Sequence, residues 1–311
     1  MSLALLDIDH LIVRVAHLDR GVELYRALGF TVAPERVKTG SAAPAPEAHG
    51  TIPRKAPFKS RHVLFRPYPG REDIANFVVL QCIEDQLSVP VEIAQVMGFM
   101  LDSEGPRALI CYSEDLDETR RAMTEAGIET APPRWTVEDA WLDGDQVLPV
   151  RSQPLITQTR RTPFIVNAFQ TETLETLRHE PWTTHANSAR YMAGLTGVTD
   201  DIQTDVRIMA DTVFGVEPEW AGDDVAIIRP RDLFLRIVTP RGFATIYPSL
   251  DFSSERVLPA LCGVTFGVDS LDAARAALAD RSIPFVDTPT PGVVVPRQQA
   301  GNTIIEFVEH S

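Results

Sequence analysis

The feature that most limits how this chain can fold is a block that occurs four times: strand, short amphipathic helix, glycine or another turn residue, strand. The first copy opens with Asp7-Ile8-Asp9-His10-Leu11-Ile12-Val13-Arg14-Val15, apolar enough for a strand with one face in a core. Asp19 is a candidate N-cap, and Val22, Leu24, Tyr25 and Leu28 give the next helix one apolar side. Gly29 is placed to stop that helix, after which Phe30-Thr31-Val32 begins another strand. The second copy runs from Arg107 through Asp115 and Met123 to Gly127, and the third from Gly194 through Ile202 and Met209 to Gly215. The fourth runs from Leu261 through Ser270 and Leu278 to Ser282. The copies are unevenly spaced, which indicates a divergent fourfold duplication with insertions; solenoid periods are shorter and regular.

Further short strands follow each helix, as in residues 61–65 and 76–83 of the first copy and 292–295 and 303–308 of the fourth. A βαβββ unit buries one sheet face under its helix and leaves the other in need of cover. Two facing units can curl their sheets around a common cleft. The expected architecture is therefore α+β: four βαβββ modules forming two cleft-bearing domains. The first spans 1–172, a polar segment 173–184 with Pro181 links the halves, and the second spans 185–311. Residues 38–60 hold many Pro, Ala and Gly and read as a long loop, either a lid or disordered. Residues 89–100 read as a helix-permissive connector, and 132–161 as an insertion of the second module.

The order of short motifs resembles the vicinal oxygen chelate superfamily, the glyoxalase, bleomycin-resistance and extradiol-dioxygenase fold. The residues that carry the resemblance are Asp9-His10-Leu11, Leu18-Asp19 and Ala27-Leu28-Gly29-Phe30 at the start. At the end they are Val295-Pro296, Ala300-Gly301 and Ile305-Glu306-Phe307-Val308-Glu309. The run His185-Ala186-Asn187-Ser188-Ala189 is similar to the HPNxA-like signature of the four-module glyoxalase-like subgroup, and here it reads as a structural turn.

The resemblance implies a divalent metal (Fe, Mn, Ni or Zn) in the cleft of a module pair, held from the first and last strands of each module. Two open positions would let adjacent substrate oxygens chelate it. Carried over by position, the first module supplies His10 and Gln81, the second Ala108 and Asn167, the third Gly194 and Arg236, and the fourth Gly263 and Glu306. Neither pair reproduces a two-His-one-carboxylate set, and a neutral amide is a weak ligand. His10 is thus either a ligand or general base in a cleft, or a buried histidine satisfied by a neighbour. Glu306 is either a metal ligand or half of a buried ion pair with Arg236 where a metal would otherwise sit. His62 either approaches the cleft of His10 or lies at a surface strand edge. Arg160 and Arg161 either clamp an anionic substrate or are solvated. Trp135 and Trp141 either cover a substrate pocket or pack the insertion. The chain shows no Gly-rich phosphate loop, Ser nucleophile elbow, CxxC or HExxH motif.

Composition narrows the partners. With 311 residues, 44% of them hydrophobic, two proper cores are affordable, and a net charge of −14 argues against nucleic acid or an anionic membrane surface. Cys82, Cys111 and Cys262 each fall in an apolar strand pattern, which suits buried thiols in a reducing compartment. The sequence has no charged-then-apolar leader and no apolar run of about 18 residues, so a cytoplasmic location is expected. Two functions fit: a glyoxalase/dioxygenase-like enzyme (lyase, isomerase or dioxygenase) acting on a small molecule in the first cleft, with or without a metal; or a metal-free binding or sequestration protein. The chain is expected to act as a monomer or homodimer, module pairing between chains being known in this fold.

Overall fold

The first block folds as β1 (Asp7–Val15), α1 (Leu18–Ala27), β2 (Arg36–Ser41), β3 (Phe58–Leu64) and β4 (Phe77–Cys82). The structure is a computed structural model that describes residues 3, 5–41, 58–67, 73–82, 104–130, 132–133, 135–141, 147–157, 161–250 and 258–309. The second block is β5 (Gly105–Tyr112), α2 (Leu116–Glu125), β6 (Thr136–Trp141), β7 (Val147–Leu155) and β8 (Ile165–Thr171). A short α3 (Leu174–Leu177) follows. The third block is β9 (Ala189–Val198), α4 (Ile202–Arg207) running on as a π-helix to Phe214, β10 (Glu219–Trp220), β11 (Val225–Ile228) and β12 (Phe234–Val238), then α5 (Pro240–Ile246). The fourth is β13 (Ala260–Val268), α6 (Leu271–Ala279), β14 (Val286–Asp287), β15 (Gly292–Val295) and β16 (Ile304–Glu309). In every block the first strand pairs in parallel with the last, as a helical crossover requires.

Antiparallel pairing of β1 with β5, and of β9 with β13, joins the blocks two by two. The two halves then diverge. In the first, β2 pairs with β6 and closes a barrel in the order β1-β4-β3-β2-β6-β7-β8-β5. In the second, the outer strands β10 and β14 have two residues each, too short to meet, and the eight-stranded sheet stays open. The first pair thus curls its two sheets around a common lumen, as two facing units were expected to.

Three segments differ from their sequence reading. Residues 38–41 and 58–60 of the expected loop belong to β2 and β3, and 42–57 lie outside the described residues, as does the 89–100 connector. The expected insertion 132–161 holds β6 and β7, which are barrel staves. The expected linker folds into α3 and a 3-10 turn (Glu180–Trp182), and Leu177 and Trp182 are buried with Ala33, Leu64, Ala75, Phe77 and Val79 at one end of the barrel. Polar composition there hid two large apolar anchors.

Helix ends explain the glycines. Asp19 lies inside the first turn of α1 and His17 occupies the cap position without a side-chain cap bond, so Asp19 acts on the helix dipole only. Asp115, Asp201 and Ser270 do cap their helices. The residue that ends each block's helix is left-handed: Gly29 (φ 89°), Gly127 (φ 73°), Gly215 (φ 70°) and Ser282 (φ 55°). At Gly29 a Cβ would also lie 2.9 Å from Asn187 Cβ and 3.2 Å from Ala277 Cβ, whereas at Gly127 it would meet nothing within 4 Å. Gly29→Ala should therefore cost about 1–3 kcal/mol more than Gly127→Ala in urea unfolding; equal costs would show that the crowding is relieved freely.

One buried apolar cluster runs through both halves, including Val22 and Tyr25 of α1, Met123 of α2, Val206 of α4 and Ala274 of α6. Phe30 and Phe65 of the first half meet Phe266 of the second at 4.9 and 5.1 Å between ring centroids. Two polar staples sit beside them. His185 Nδ1 accepts the Thr31 N–H (3.0 Å) while its Nε2–H donates to Leu64 O (2.9 Å). The Asn187 amide donates to Leu28 O at 2.9 Å. The turn expected at 185–189 is thus an inter-half latch. Cys82, Cys111 and Cys262 are buried and joined in no disulfide. No helix among the described residues is long and apolar enough to cross a membrane.

Candidate functional site

Strand alternation decides what lines the first barrel. The β1–β4 and β3–β4 ladders run without a register break, so His10, Ile12 and Arg14 share a face with Phe77, Val79 and Gln81, and with Leu64, His62 and Ser60. Across the other side, His10 is level with Ile110 of β5, and Ile110 with Asn167 of β8. The alternate set, Leu11, Val13, Val78, Leu80 and Val166, belongs to the cluster under the helices, each at most 1% exposed. Ile12, in the middle of β1, nevertheless keeps part of its surface accessible, as does Gln81. The other residues of this face, among them His10, His62, Val79 and Asn167, are buried.

The most organised group in the lumen is His10. Its Nδ1 lies 2.5 Å from Asp9 Oδ1, and Asp9 Oδ2 accepts the Ala75 N–H at 3.0 Å. With a carboxylate as partner, Nδ1 is the protonated nitrogen and Nε2 is left for other chemistry. The ring stacks on Phe77 (centroids 4.1 Å apart, planes at 14°) and meets the edge of Phe169 at 4.9 Å. A bulge in the β1–β5 ladder between Ile8 and His10 lets two successive side chains, Asp9 and His10, turn toward each other.

The other predicted residues fall in different places. His62 is buried, 3% exposed, and meets Phe77 from another side at 5.5 Å, so it is no surface strand edge. Gln81 shares the lumen face but is level with Arg14, four residues along β1 from His10, about 13 Å at strand rise. Asn167 is level with His10, but its Oδ1 already accepts the Thr157 N–H and hydroxyl (3.0 and 3.1 Å). Trp135 is half-buried with the Arg151 guanidinium 5.3 Å over its ring. Arg161 is exposed; Arg160 and the Trp141 side chain lie outside the described residues. Asp9, Arg14, Phe77 and Phe169 were missed as site residues. Counting by twos from His10 reaches Arg14 on the same face, a signal present in the sequence.

In the second half, Arg236 Nη2 donates to Glu306 Oε2 at 2.7 Å, on the open sheet. The level residues on the neighbouring first strands are Thr196 and Thr265, two positions beyond the glycines assigned from the sequence. Arg236 also donates to Thr196 Oγ1 (3.0 Å) and to the Tyr247 hydroxyl; Thr265 Oγ1 and Tyr247 OH donate to Glu306 Oε2 at 2.7 and 3.1 Å. Burial alone would lower the Arg236 pKa, but the Tyr247 and Glu306 oxygens outweigh it and hold the guanidinium above its ordinary value.

No family model matches the sequence, and no curated protein does. Solved structures match across the chain. A hypothetical protein from Staphylococcus aureus has TM-score 0.58 at 12% identity, covering 98% of this chain and 99% of that one. The Mn(II)-bound glyoxalase from Novosphingobium aromaticivorans has TM-score 0.56 at 11% identity, covering 98% and 82%. A variant of homoprotocatechuate 2,3-dioxygenase from B. fuscum has TM-score 0.56 at 12% identity, covering 97% and 71%. The chain shares the glyoxalase/dioxygenase fold of these structures. The donor set here fits that fold's metal poorly. His10 and Gln81 are not level, the Asn167 oxygen is engaged, and Glu306 Oε2 already takes three side-chain donors. Among the described residues no three His, Cys, Asp or Glu side chains gather as a metal-holding group.

Proposed function

We propose that this chain is a glyoxalase/dioxygenase-type enzyme whose reaction centre is the lumen of the first barrel, with His10 as general base. The observation that carries the reading is the Asp9–His10 pair, held between Phe77 and Phe169 on the inner face of the barrel. Imidazole suits proton transfer near neutral pH, and a carboxylate on Nδ1 fixes the ring and stabilises the imidazolium that forms. Nε2 takes a proton from a carbon or hydroxyl of the bound molecule; the Gln81 amide and Ser60 hydroxyl, further along the same face, are placed to orient its polar end. No step is routed through a metal, because the residues present do not fit one.

The donor set also favours a second reading, a protein that binds the same small molecules without turning them over. Both readings meet in one experiment. In D2O, 2-oxo acids, thiol hemiacetals of 2-oxoaldehydes and dihydroxyaromatics are followed by proton NMR with wild type and with His10→Asn. Loss or exchange of substrate C–H signals in wild type, slowed about 10²–10⁴-fold in the variant, is the expected result. Line broadening of a probe without exchange or turnover would favour the binding protein, and equal rates in both proteins would remove His10 from the chemistry.

A further inference from the structure

Tyr247 stands at the end of α5, the helix between the third and fourth blocks, and its phenol is buried in the open sheet's cleft at 3% exposure. Its hydroxyl is read by two charged groups at once. It donates to Glu306 Oε2 (3.1 Å) and accepts from Arg236 Nη2, while the Arg236 guanidinium lies 5.3 Å over its ring. Thr196 and Thr265 hold those two side chains from adjacent strands. Tyr247 belongs to a buried apolar cluster with Val198, Val238, Cys262, Val294 and Ile304 of the sheet and with Phe243 of α5 itself. One ring face on a cation, one hydroxyl with both its donor and acceptor roles met, and an apolar surround: this is how a protein recognises a phenol.

We infer that the second half contains a phenol-binding site that the chain keeps filled with its own Tyr247. Its recognition elements are Arg236, Glu306 and the apolar strand residues of that cluster, and α5 is the plug. The burial that surrounds the hydroxyl, and after it the Glu306 carboxylate, pushes the phenol well above ordinary tyrosine values, so a neutral phenol and not a phenolate is the class that fits. This is independent of any chemistry in the first barrel.

The test removes the plug and supplies its side chain as a free molecule. The full-length Tyr247→Ala protein is titrated with p-cresol, which is the tyrosine side chain, and with toluene, which lacks the hydroxyl. The expected result is p-cresol binding at least about tenfold tighter than toluene, with the preference lost when Arg236→Met is added. Wild type should show no such binding at the same concentrations. Equal affinity for the two molecules, or equal p-cresol binding by wild type, would overturn the assignment. If the alanine variant does not fold alone, refolding in each compound reads the same point. Recovery with p-cresol only supports the site; recovery with neither, or with both alike, refutes it.

Discussion

Glu306→Gln should destabilise the protein by about 3–5 kcal/mol, the cost of stranding a charge that was paired out of water. The Arg236 and Glu306 side chains are 13% and 5% exposed, so solvent cannot replace the lost partner. The glutamine keeps the shape and some hydrogen bonds, but not the charge that offsets desolvation of the guanidinium. Arg236→Met should cost a similar amount from the other side. Combining the two should cost clearly less than their sum, because the double variant leaves no orphaned charge. Guanidinium unfolding of the four proteins measures this. Additive losses would mean that the two groups are held by Thr196, Thr265 and Tyr247 more than by each other.

The second large effect depends on pH. Burial lowers the His185 pKa to about 4, its bond to Leu64 O opposing only in part. Protonating Nδ1 would also turn a proton against the Thr31 N–H that it accepts. The unfolded chain, with an ordinary histidine near 6.5, therefore binds more protons than the folded one between those values. Stability rises with pH there: the neutral latch is fully effective above about 6.5 and loses about 3 kcal/mol as pH falls to 4. His185→Gln should be less stable than wild type at pH 7 and should close most of that gap by pH 4. A gap that stays constant across the range would show that His185 titrates alike in both states.

The fold was legible because helix stops and strand periods are local. Gly29, Gly127 and Gly215 mark the module helices since only a left-handed turn folds the chain back, and Ser282 shows how weakly the fourth copy needed the signal. Closure of the first barrel was not legible: β2 and β6 lie far apart in sequence and meet only when two modules curl together. The linker misled for a physical reason, since Leu177 and Trp182 anchor a segment that is otherwise polar. The face holding His10, His62, Gln81 and Asn167 follows from period two, but their levels along the barrel do not. Inter-strand register is set by tertiary pairing, and it separates Gln81 from His10 and brings Phe77 beneath the imidazole. Asp9 was quoted in the motif yet missed as a partner, because neighbouring strand residues ordinarily point to opposite faces and only a bulge overrides that.

Long-range proton–nitrogen NMR of the histidine rings, on wild type and Asp9→Asn, tests the reaction centre most directly. The geometry requires the His10 Nδ1 to carry its proton in wild type throughout the range where the ring is neutral, with Nε2 bare toward the lumen, and requires that preference to weaken in Asp9→Asn. A His10 ring protonated on Nε2 alone, or one indifferent to the loss of the Asp9 charge, would contradict a base poised inside the barrel.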